Sequence, residues 1–509
     1  MKSTLTGEDL IAAGYRPGPV FKEMLARAAE YEARGVSGKK YLLKLLRRDF
    51  EPPPPKAVLR KRAVPFTEAI RPASKEEREN VAAVRTRMDE LLKVPVIQRG
   101  AIMPDACPAG PGRAVIPVGG AIAVENAVIP SAHSADICCS MFATFYEARS
   151  TVAKELDALT SATRFGMGHR HLDDLVEDPV LDHDVWGNPF LKGLRDRAHA
   201  HLADQGDGNH FAYVGEVAVD EPMRAMLRLA GYEDLAGKLA QPSYRVLVTH
   251  HGSRGLGAAV YKRGQHAALK HTEREADRIP PAAAWLDMKS DVGRNYWEAL
   301  KYVSLWTRAN HEVIHRRFLE RIGGVSSAEV GNEHNFVWQR GDMFMHGKGA
   351  TPAWRDSDGR PRLGLIPLNM AEPILLVLGG DREEFLSFAP HGAGRNMSRT
   401  ALKRQFPSED ARRHQIESST DGIDVRWYCG KPDLSETPVA YKNAASVTAQ
   451  IRDFGLAEIV AQIRPLGCIM AGDVPKPWLS REEELTPKQK RQIQHRKERR
   501  RTNQEMKEW

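Results

Sequence analysis

The chain has 509 residues, of which 42% are hydrophobic and 28% charged, enough for two or three ordinary domains or one large elaborated domain. It contains no run of eighteen apolar residues, and MKSTLTGEDL lacks the apolar stretch of a secretory signal, so we expect a cytoplasmic protein without a membrane partner. Five cysteines are few and odd in number, which argues against a disulfide framework and leaves metal binding or nucleophilic chemistry for any special cysteine.

The formal net charge of +8 is concentrated in the C-terminal tail. Residues 488–501, KQKRQIQHRKERRR, hold eight Lys or Arg and one Glu, so this segment carries +7 and the rest of the chain about +1. We expect an exposed helix here, with Thr486 as its cap and Pro487 in its first position. Two interpretations stay open: a solvated helix that aids solubility, or an RNA or ribosome anchor that contacts phosphates.

The N-terminal part predicts a small helical module. Thr6 can cap a first helix, and VFKEMLARAAEYEARG has helical periodicity that ends at Gly35. The proline-rich EPPPPK, residues 51–56, is typical of a stiff spacer. A charged helix follows from about Ser74, the expected N-cap, to Leu92.

The remainder predicts alternating sheet and helix. Short β-rich runs broken by Gly and Pro fill Val94 to Tyr146. YRVLVTHHG, Tyr244 to Gly252, has the pattern of a buried strand that runs into a glycine turn. Other segments are expected to be mainly helical (150–205 and 265–320) or rich in strands (363–379 and 451–472).

The first candidate site is SADICCSM, beside a predicted strand. It presents Asp136 and Cys139 as a D-x-x-C pair. A carboxylate and a thiolate at this spacing can reach one metal centre, and a thiolate can also bridge two ions. The alternative is an Asp turn followed by two core cysteines.

Three further motifs place histidines in or beside glycine turns. GDGNHF presents Asn209 and His210, and GNEHNF presents His334. HHGSRGLG contains His250 and His251, of which we expect only one in the site, because neighbours on an extended chain point to opposite faces. Loops that carry such residues are expected to converge on one pocket. The ligand types suit a transition metal, and their softness alone favours zinc.

The stretch SFAPHGAGRNMSR combines a histidine with small residues and arginines. Gly392, Ala393 and Gly394 leave space for a phosphate or a metal near the ring of His391. Arg395 and Arg399 could clamp phosphate oxygens. The alternative is a glycine turn that caps a helix starting near Asn396.

Seven blocks follow one another along the chain: MPDACPAGPG, SADICCSM, GDGNHF, HHGSRGLG, GNEHNF, HGKGAT and HGAGRNMSR. In this order they resemble the signature blocks of the RtcB family of RNA ligases, over roughly Val94 to Gly472. The resemblance implies an α+β fold, an RtcB-like catalytic domain of mixed sheets and helices around a metal pocket. The domain expectations are a helical module at 1–50, a linker and charged helix at 51–93, the catalytic domain at 94–479 and a basic tail at 480–509.

The resemblance also implies an activity. The family joins an RNA 3′-phosphate or 2′,3′-cyclic phosphate end to a 5′-hydroxyl end, using GTP and two manganese ions, through a histidine that covalently bears GMP. His391 is similar to this nucleophile, and Asn209 and Arg399 to residues that contact nucleotide or RNA phosphate. The resemblance makes Cys139 the bridging thiolate, with Asp136 and His334 on one ion, and His210 and His250 on the other. Implied partners are tRNA or rRNA fragments and, as for some relatives, an archease-like activator.

Several residues depart from the family pattern. Cys138 replaces an expected glycine before the bridging cysteine, and Cys107 replaces a histidine in the MPD block. Tyr213 takes the place of an acidic residue, IPLNMAEP takes that of IPGSMGT, and RPLGCIMAG lacks the terminal lysine that helps to hold guanine nucleotide. These changes concentrate in the nucleotide pocket, while His391 and the implied metal ligands are retained.

We therefore expect metal-dependent RNA end joining, in repair or tRNA splicing. Two alternatives stay open. One is a divergent member that transfers nucleotide or removes a terminal phosphate without sealing strands. The other is an RNA- or ribosome-binding protein that keeps the metal site as structure, although such a protein has no need of a nucleophile at His391.

Overall fold

A computed structural model of the protein describes residues 3–15, 17–51, 56–110 and 112–473. The predicted proline spacer lies almost entirely outside the described residues, and so does the predicted basic helix with its Thr486 cap. The helices are α1 (Gly7–Ala12), α2 (Val20–Ala33), α3 (Lys39–Asp49), α4 (Lys75–Leu91), α5 (Val152–Ala162), α6 (Arg195–His199), α7 (Glu221–Leu229), α8 (Glu233–Lys238), α9 (Arg254–Glu275), α10 (Asp291–Ile322), α11 (Arg399–Gln405), α12 (Glu409–Ser419) and α13 (Ala444–Asp453).

The strands are β1 (Ala57–Val58), β2 (Phe66–Glu68), β3 (Ile97–Cys107), β4 (Val118–Glu125), β5 (Ala127–Val128), β6 (Ser140–Tyr146), β7 (Arg164–Phe165), β8 (Asp204–Gly206), β9 (Phe211–Ala218), β10 (Ser243–His251), β11 (Ala276–Asp277), β12 (Leu286–Asp287), β13 (Ala328–Glu333), β14 (Phe336–Arg340), β15 (Met343–Lys348), β16 (Ala350–Pro352), β17 (Leu363–Ile366), β18 (Ile374–Gly379), β19 (Phe388–Pro390), β20 (Asp424–Trp427) and β21 (Ala457–Met470). Helices and mainly antiparallel sheets thus form an α+β fold, as predicted. Within the described ranges, none of the helices combines the length and apolar character that a bilayer crossing requires.

The smaller of two compact units consists of residues 1–59 together with 273–278. The hydroxyl of Thr6 accepts from the backbone N–H of Asp9, whose carboxylate in turn accepts from the N–H of Thr6, so a capping box begins α1. The predicted helix cap at Thr6 is confirmed. Helix α2 ends just before Gly35, which has a φ of 88° and so terminates the helix as expected. The unit has a core of its own: Leu5, Leu10, Tyr15, Met24, Ala28, Leu42 and Leu46.

The larger unit, residues 60–272 and 279–509, contains two main sheets. One has the strand order β13-β6-β10-β9-β21-β18-β17, with β20 beside β21. The other has the order β14-β15-β4-β3-β2. The strands predicted between Val94 and Tyr146 are confirmed, and so is the buried strand β10 at Ser243–His251. Ser74 caps α4 as predicted.

The prediction of a mainly helical segment at 150–205 is wrong for its middle part. Helix α5 ends at Ala162, and α6 resumes only at Arg195; between them lie turns and short 3-10 segments. Gly166 and Gly168 have φ values of 92° and 90°, which a right-handed helix does not accommodate. The prolines of this segment further interrupt any helical run.

Candidate metal centre and nucleophile

The sheet brings five predicted site residues together. Cys139 immediately precedes β6, His250 lies near the end of β10 and His210 immediately precedes β9; these three strands are neighbours. His334 follows β13, on the other side of β6, and its backbone N–H donates to the carbonyl of Cys139 at 2.7 Å. Asp136 lies in the turn before Cys139. Antiparallel pairing therefore places ligand-type side chains from distant parts of the sequence at one end of the sheet.

Cys139 lies at the centre of this group. Its Sγ is 3.2 Å from Nε2 of His250 and 3.7 Å from Nε2 of His210. The Nε2 atoms of His250 and His334 are 3.1 Å apart, and Nε2 of His210 is 2.8 Å from Oδ2 of Asp136. Two sets of three potential ligands result, and they share Cys139: Asp136, Cys139 and His210, and Cys139, His250 and His334.

The hydrogen bonds behind these side chains show that the cluster suits cations. Nδ1 of His210 lies 3.0 Å from the carbonyl of Gln205, and Nδ1 of His250 lies 3.1 Å from the carbonyl of Asn209. Each Nδ1 therefore carries the proton when the ring is neutral, and each Nε2 presents a lone pair. In His210 that lone pair faces the Asp136 carboxylate, an acceptor against an acceptor. A bound cation removes this repulsion, so the residues fit metal binding.

The resemblance implies that Asp136 shares an ion with His334, and His210 with His250. Among the side chains themselves, Asp136 lies nearest His210, and His250 lies between Cys139 and His334. These distances group the ligand atoms but do not assign them to ions, so the division implied by the resemblance stays a prediction.

Burial dominates the electrostatics of the centre. It lowers the pKa of His250 to about 3, with a further contribution from His210. It also holds the pKa of His334 well below its usual range, with His391 adding to the effect. Burial and the nearby Asp136 raise the pKa of the Cys139 thiol. For Asp136 itself, burial acts to raise the pKa, but the interactions with His210 and Arg254 outweigh it and lower the pKa. The imidazoles of His250 and His334 are thus neutral lone-pair donors, whereas thiolate formation at Cys139 calls for a cation.

His391 lies next to this centre, with its ring 4.8 Å from that of His334. Its Nδ1 is 2.6 Å from Oδ2 of Asp105 and 2.8 Å from the carbonyl of Gly349. Both partners are acceptors, so Nδ1 carries the proton and Nε2 presents its lone pair. Within the described part of the chain, Nε2 has no hydrogen-bond partner. The ring is therefore oriented by one nitrogen and available for nucleophilic attack through the other.

The backbone on either side of Asp105 is fixed by its neighbours. Asp105 is fully buried, and the Lys442 ammonium donates to the backbone carbonyls of Pro104 and Ala106, at 2.8 Å each, on either side of it. Gly394, with a φ of 73°, passes so close to the Asp105 backbone that a Cβ there would overlap its carbonyl group. The glycine of the His391 loop thus permits the contact that orients the imidazole.

A cavity of about 250 Å³ opens beside His391. Its polar lining includes Asn209, Lys348 and the backbone of Gly392, Ala393 and Gly394. Burial lowers the pKa of Lys348 to about 8. Part of its lining comes from paired strands, in which Phe211 of β9 is paired with Met470 of β21 and Tyr213 with Cys468. The cavity therefore combines polar groups with apolar side chains.

The two predicted arginine clamps both have an acidic partner. Arg395 donates to Glu436 at 2.8 Å, and its guanidinium lies 4.9 Å from the ring centre of Tyr441. Arg399 pairs with the other carboxylate oxygen of Glu436. Arg395 is mostly buried and lines the cavity, whereas the Arg399 side chain is 45% exposed. Of the two, Arg399 is better placed to reach an incoming anion.

The structure explains how two departures from the family pattern are accommodated. Cys138, which stands where glycine was expected, has a φ of 57°. The backbone keeps a left-handed conformation that favours glycine, so Cys138, whose side chain is buried, adopts a strained backbone conformation. Tyr213 is buried, and its hydroxyl donates to the carbonyl of Ile463 at 2.9 Å. Its polar group is therefore satisfied within the sheet.

Sequence reasoning missed several residues of the site. Asp105 and Lys348 both lie within the quoted blocks MPDACPAGPG and HGKGAT, so the signal was present. Their roles were invisible because they depend on contacts with His391 and the cavity. Glu436 and Tyr441 stand in no quoted block, and Glu436 follows His391 by 45 positions. His251, by contrast, turns away from the centre towards α10, as alternation along a strand requires.

Comparison with known proteins agrees with this geometry. The family model described as "tRNA-splicing ligase RtcB" matches residues 187–471, more than half of the chain. The "RNA-splicing ligase RtcB" of Escherichia coli strain K12 is 25% identical over 424 residues, 76% of this chain and 94% of that protein. The "RNA-splicing ligase RtcB2" of E. coli strain ATCC 25922 is 29% identical over 385 residues, 73% of this chain and 88% of that protein.

An archaeal relative matches a shorter part. The "tRNA-splicing ligase RtcB" of Pyrococcus abyssi is 27% identical over 311 residues, which is 54% of this chain and 32% of that protein. This chain thus spans about a third of the length of that relative. The family match nevertheless includes four histidines of the candidate site: His210, His250, His334 and His391. From the family match together with this site, we conclude that the chain belongs to the RtcB family.

Proposed function

We propose that this chain is an RNA ligase that joins 2′,3′-cyclic phosphate or 3′-phosphate ends to 5′-hydroxyl ends, in RNA repair or tRNA splicing. The observation that carries the proposal is the free Nε2 of His391, oriented by Asp105 beside two ligand sets that share Cys139. A metal site that is only structural has no need of such a nucleophile. The printed names of the relatives, which call them tRNA- or RNA-splicing ligases, support RNA as the substrate.

The implied cofactors are two divalent ions, with manganese as the metal that the resemblance indicates. Following the resemblance, Cys139 would contact both ions, with Asp136 and His334 on one and His210 and His250 on the other. All five residues belong to the groups of closely spaced ligand atoms around Cys139. When bound, such ions offset negative charge on phosphate groups. Softness alone does not select manganese over zinc for a set of thiolate and imidazole ligands.

The residues of this chain support a covalent step with GTP. The lone pair on Nε2 of His391 attacks the α-phosphorus, a nitrogen–phosphorus bond forms, and the bond to the bridging oxygen breaks so that pyrophosphate leaves. Asp105 and the carbonyl of Gly349 hold the Nδ1 proton and stabilise the positive charge that develops on the ring. GMP then passes to the RNA 3′-phosphate, and the 5′-hydroxyl displaces GMP. A cyclic phosphate end must first be opened by water.

The apolar part of the cavity lining favours a second candidate within the same chemistry. Tyr213 and Cys468 are paired there, and neither offers a charged group to a base. Burial raises the pKa of the Cys468 thiol to about 12, which keeps it neutral. A divergent enzyme that transfers another nucleotide, or that removes a terminal phosphate without sealing, is consistent with this lining. Each nucleoside triphosphate should therefore be tried in turn.

The test uses RNA with 2′,3′-cyclic phosphate and 5′-hydroxyl ends, incubated with manganese and each nucleoside triphosphate. Wild type should seal the strands, His391→Ala should not, and His266→Ala, which removes an exposed histidine on α9, should behave as wild type. Sealing by His391→Ala would overturn the proposed nucleophile. If wild type forms a nucleotidyl-histidine but seals nothing, the divergent transferase replaces the ligase.

We also propose the domain assignment, with residues 94–479 as the catalytic domain, and an RNA or ribosome anchor in the basic tail. Deletion of residues 481–509 should weaken RNA binding and flatten its dependence on salt, because fewer phosphate contacts release fewer counterions. An unchanged salt slope would remove the anchor. Addition of an archease-like protein to the ligation assay tests the proposed activator: an unchanged rate argues against it.

A further inference from the structure

Helix α10 carries a buried polar surface that the proposed chemistry does not use. Asn310, His311 and His315 are each at most 2% exposed, although the neighbouring Trp306 and Phe318 show that the same helix packs apolar side chains well. Leaving polar groups in a core is costly unless every one of them is hydrogen-bonded. Their partners therefore indicate what this surface of α10 does.

A continuous chain of hydrogen bonds joins α10 to two strands of the central sheet. Nε2 of His311 is 3.0 Å from the hydroxyl of Ser140, and its Nδ1 is 2.7 Å from the hydroxyl of Thr249. The same Thr249 hydroxyl lies 2.8 Å from Nε2 of His315. Nδ1 of His315 lies 2.7 Å from the hydroxyl of Thr144. Thr249 of β10 thus connects two imidazoles that each also reach β6.

One direction of donation satisfies every member of this chain. Burial lowers the pKa of His315 to about 3 and that of His311 well below its usual range, so each ring has one donor and one acceptor nitrogen. If Thr144 donates to His315, then His315 donates to Thr249, Thr249 to His311 and His311 to Ser140. The Ser140 hydroxyl can then donate to the backbone carbonyl of His251, at 3.5 Å.

The same surface of α10 also fixes the loop that carries His210. Asn310 donates to the carbonyl of Asp204 at 3.1 Å, and the stacked rings of His251 and His311 have centroids 3.5 Å apart. Next to Asp204, the side chain of Gln205 donates to the carbonyl of His250 at 3.0 Å, and the Gln205 carbonyl accepts from Nδ1 of His210. Three segments that bear metal-ligand candidates are therefore tied to one helix.

The two faces of the sheet formed by β6 and β10 make different contacts. Ser140, Thr144 and Thr249 point to α10, whereas His250, the neighbour of Thr249, points to the opposite surface, towards Cys139. A slip of β6 against β10 by one residue would exchange these surfaces. We propose that Thr249, with His311 and His315 of α10, is a positioning group: it fixes the register of β6 against β10 and thereby the distance between Cys139 and His250.

An apolar alternative shows why packing alone does not explain this surface. Replacing buried polar groups by apolar ones of similar volume is often neutral or stabilising, so stability gives no reason to keep two neutral imidazoles here. Directional hydrogen bonds specify one arrangement among many compact ones, and groups that hold metal ligands in place contribute about 10- to 100-fold to metal affinity. The inference rests on the metal centre of the proposed function.

Two matched substitutions test the proposal. Thr249→Val removes the bridging hydroxyl at nearly constant volume. Thr307→Val makes the same change at an equally buried position on α10, where the hydroxyl donates to the carbonyl of Val303 in the same helix. Both variants should lose some thermal stability. Only Thr249→Val should bind Mn²⁺ and Co²⁺ more weakly, by about 10-fold or more in calorimetry, with an altered Co²⁺ absorption spectrum. Thr249→Ser keeps the hydroxyl and should restore affinity.

The outcomes separate this inference from the proposed function. Wild-type metal affinity in a folded Thr249→Val would overturn the positioning role while leaving the metal centre intact. Equal weakening in Thr249→Val and Thr307→Val would also overturn it, because a general loss of stability would then explain the effect. Absence of Mn²⁺ and Co²⁺ binding by wild type would overturn the centre itself, and this inference with it.

Discussion

Replacing Asp105 by Asn tests how the nucleophile is prepared. The Asp105 carboxylate lies 2.6 Å from Nδ1 of His391 and is fully buried. A hydrogen bond to a charged group contributes about 1.5–3 kcal/mol. Because about 1.4 kcal/mol corresponds to a tenfold change in rate, Asp105→Asn should slow formation of the nucleotidyl-histidine by about 10- to 150-fold.

The second acceptor on Nδ1 sets the upper limit of this loss. The carbonyl of Gly349, 2.8 Å away, still accepts the Nδ1 proton after the substitution. The productive tautomer of His391, with its lone pair on Nε2, is then preserved. In protease triads, the corresponding change produces the wrong tautomer and costs about 10⁴-fold. The predicted loss is smaller because this imidazole has a backbone acceptor as well as a carboxylate.

The assay follows covalent label on the protein after denaturation, with manganese and radiolabelled nucleoside triphosphate, over single-turnover times. Asp178→Asn is a matched control, since Asp178 caps a short helix at Val180, away from the cavity, and Asn is an equally good cap. Two results would refute the reasoning. An unchanged rate in Asp105→Asn would mean that the carboxylate does not assist, and a loss near 10⁴-fold would mean that Gly349 does not hold the tautomer.

Three further predictions concern metal content and stability. Cys139→Ala should lose both ions, whereas Asp136→Ala should lose one, because only the thiolate belongs to both ligand sets; metal analysis of the purified proteins measures the stoichiometry, and equal losses would contradict a shared ligand. Cys138→Gly should change the free energy of unfolding by less than about 1 kcal/mol, since relief of left-handed strain offsets the lost thiol contacts, but Cys138→Val should destabilise by about 2 kcal/mol or more; denaturant unfolding distinguishes them, and equal stability of the two would argue against strain. Lys442→Met should cost about 3 kcal/mol, because the two carbonyls beside Asp105 lose a buried charged donor; a stability within 1 kcal/mol of wild type would contradict this role.

Local sequence patterns predicted much of the fold. The caps at Thr6 and Ser74 depend on a side chain and a backbone N–H only three residues away, and both are confirmed. The strand β10 was predicted from the pattern YRVLVTHHG, a buried strand that runs into a glycine turn. The prediction of helix after Ala162 is wrong because the composition of the segment resembles that of helices. Composition does not reveal that Gly166 and Gly168 adopt positive φ values.

The site was predictable as a set of residues but not as an arrangement. Histidines and a cysteine beside glycine turns indicated a shared pocket, and the structure brings them together. Which of these side chains lie nearest one another depends on which strands flank β6. That order is a non-local property, and no spacing along the chain encodes that His334 lies beside His250.

The same reasoning explains why the polar surface of α10 escaped notice. His311 and His315 are four residues apart on a helix, a spacing equally common among satisfied core residues, and neither stands in a glycine turn. Their role is recognisable only from the structure, in which both rings are hydrogen-bonded to the Thr249 hydroxyl, 62 and 66 positions away in the sequence. The candidate ligands lie in or beside glycine turns that mark them in the sequence, whereas Thr249, His311 and His315 lie within a regular strand and helix. Residues that orient a site therefore have to be found from hydrogen-bond partners, whereas residues that react can be found from motifs.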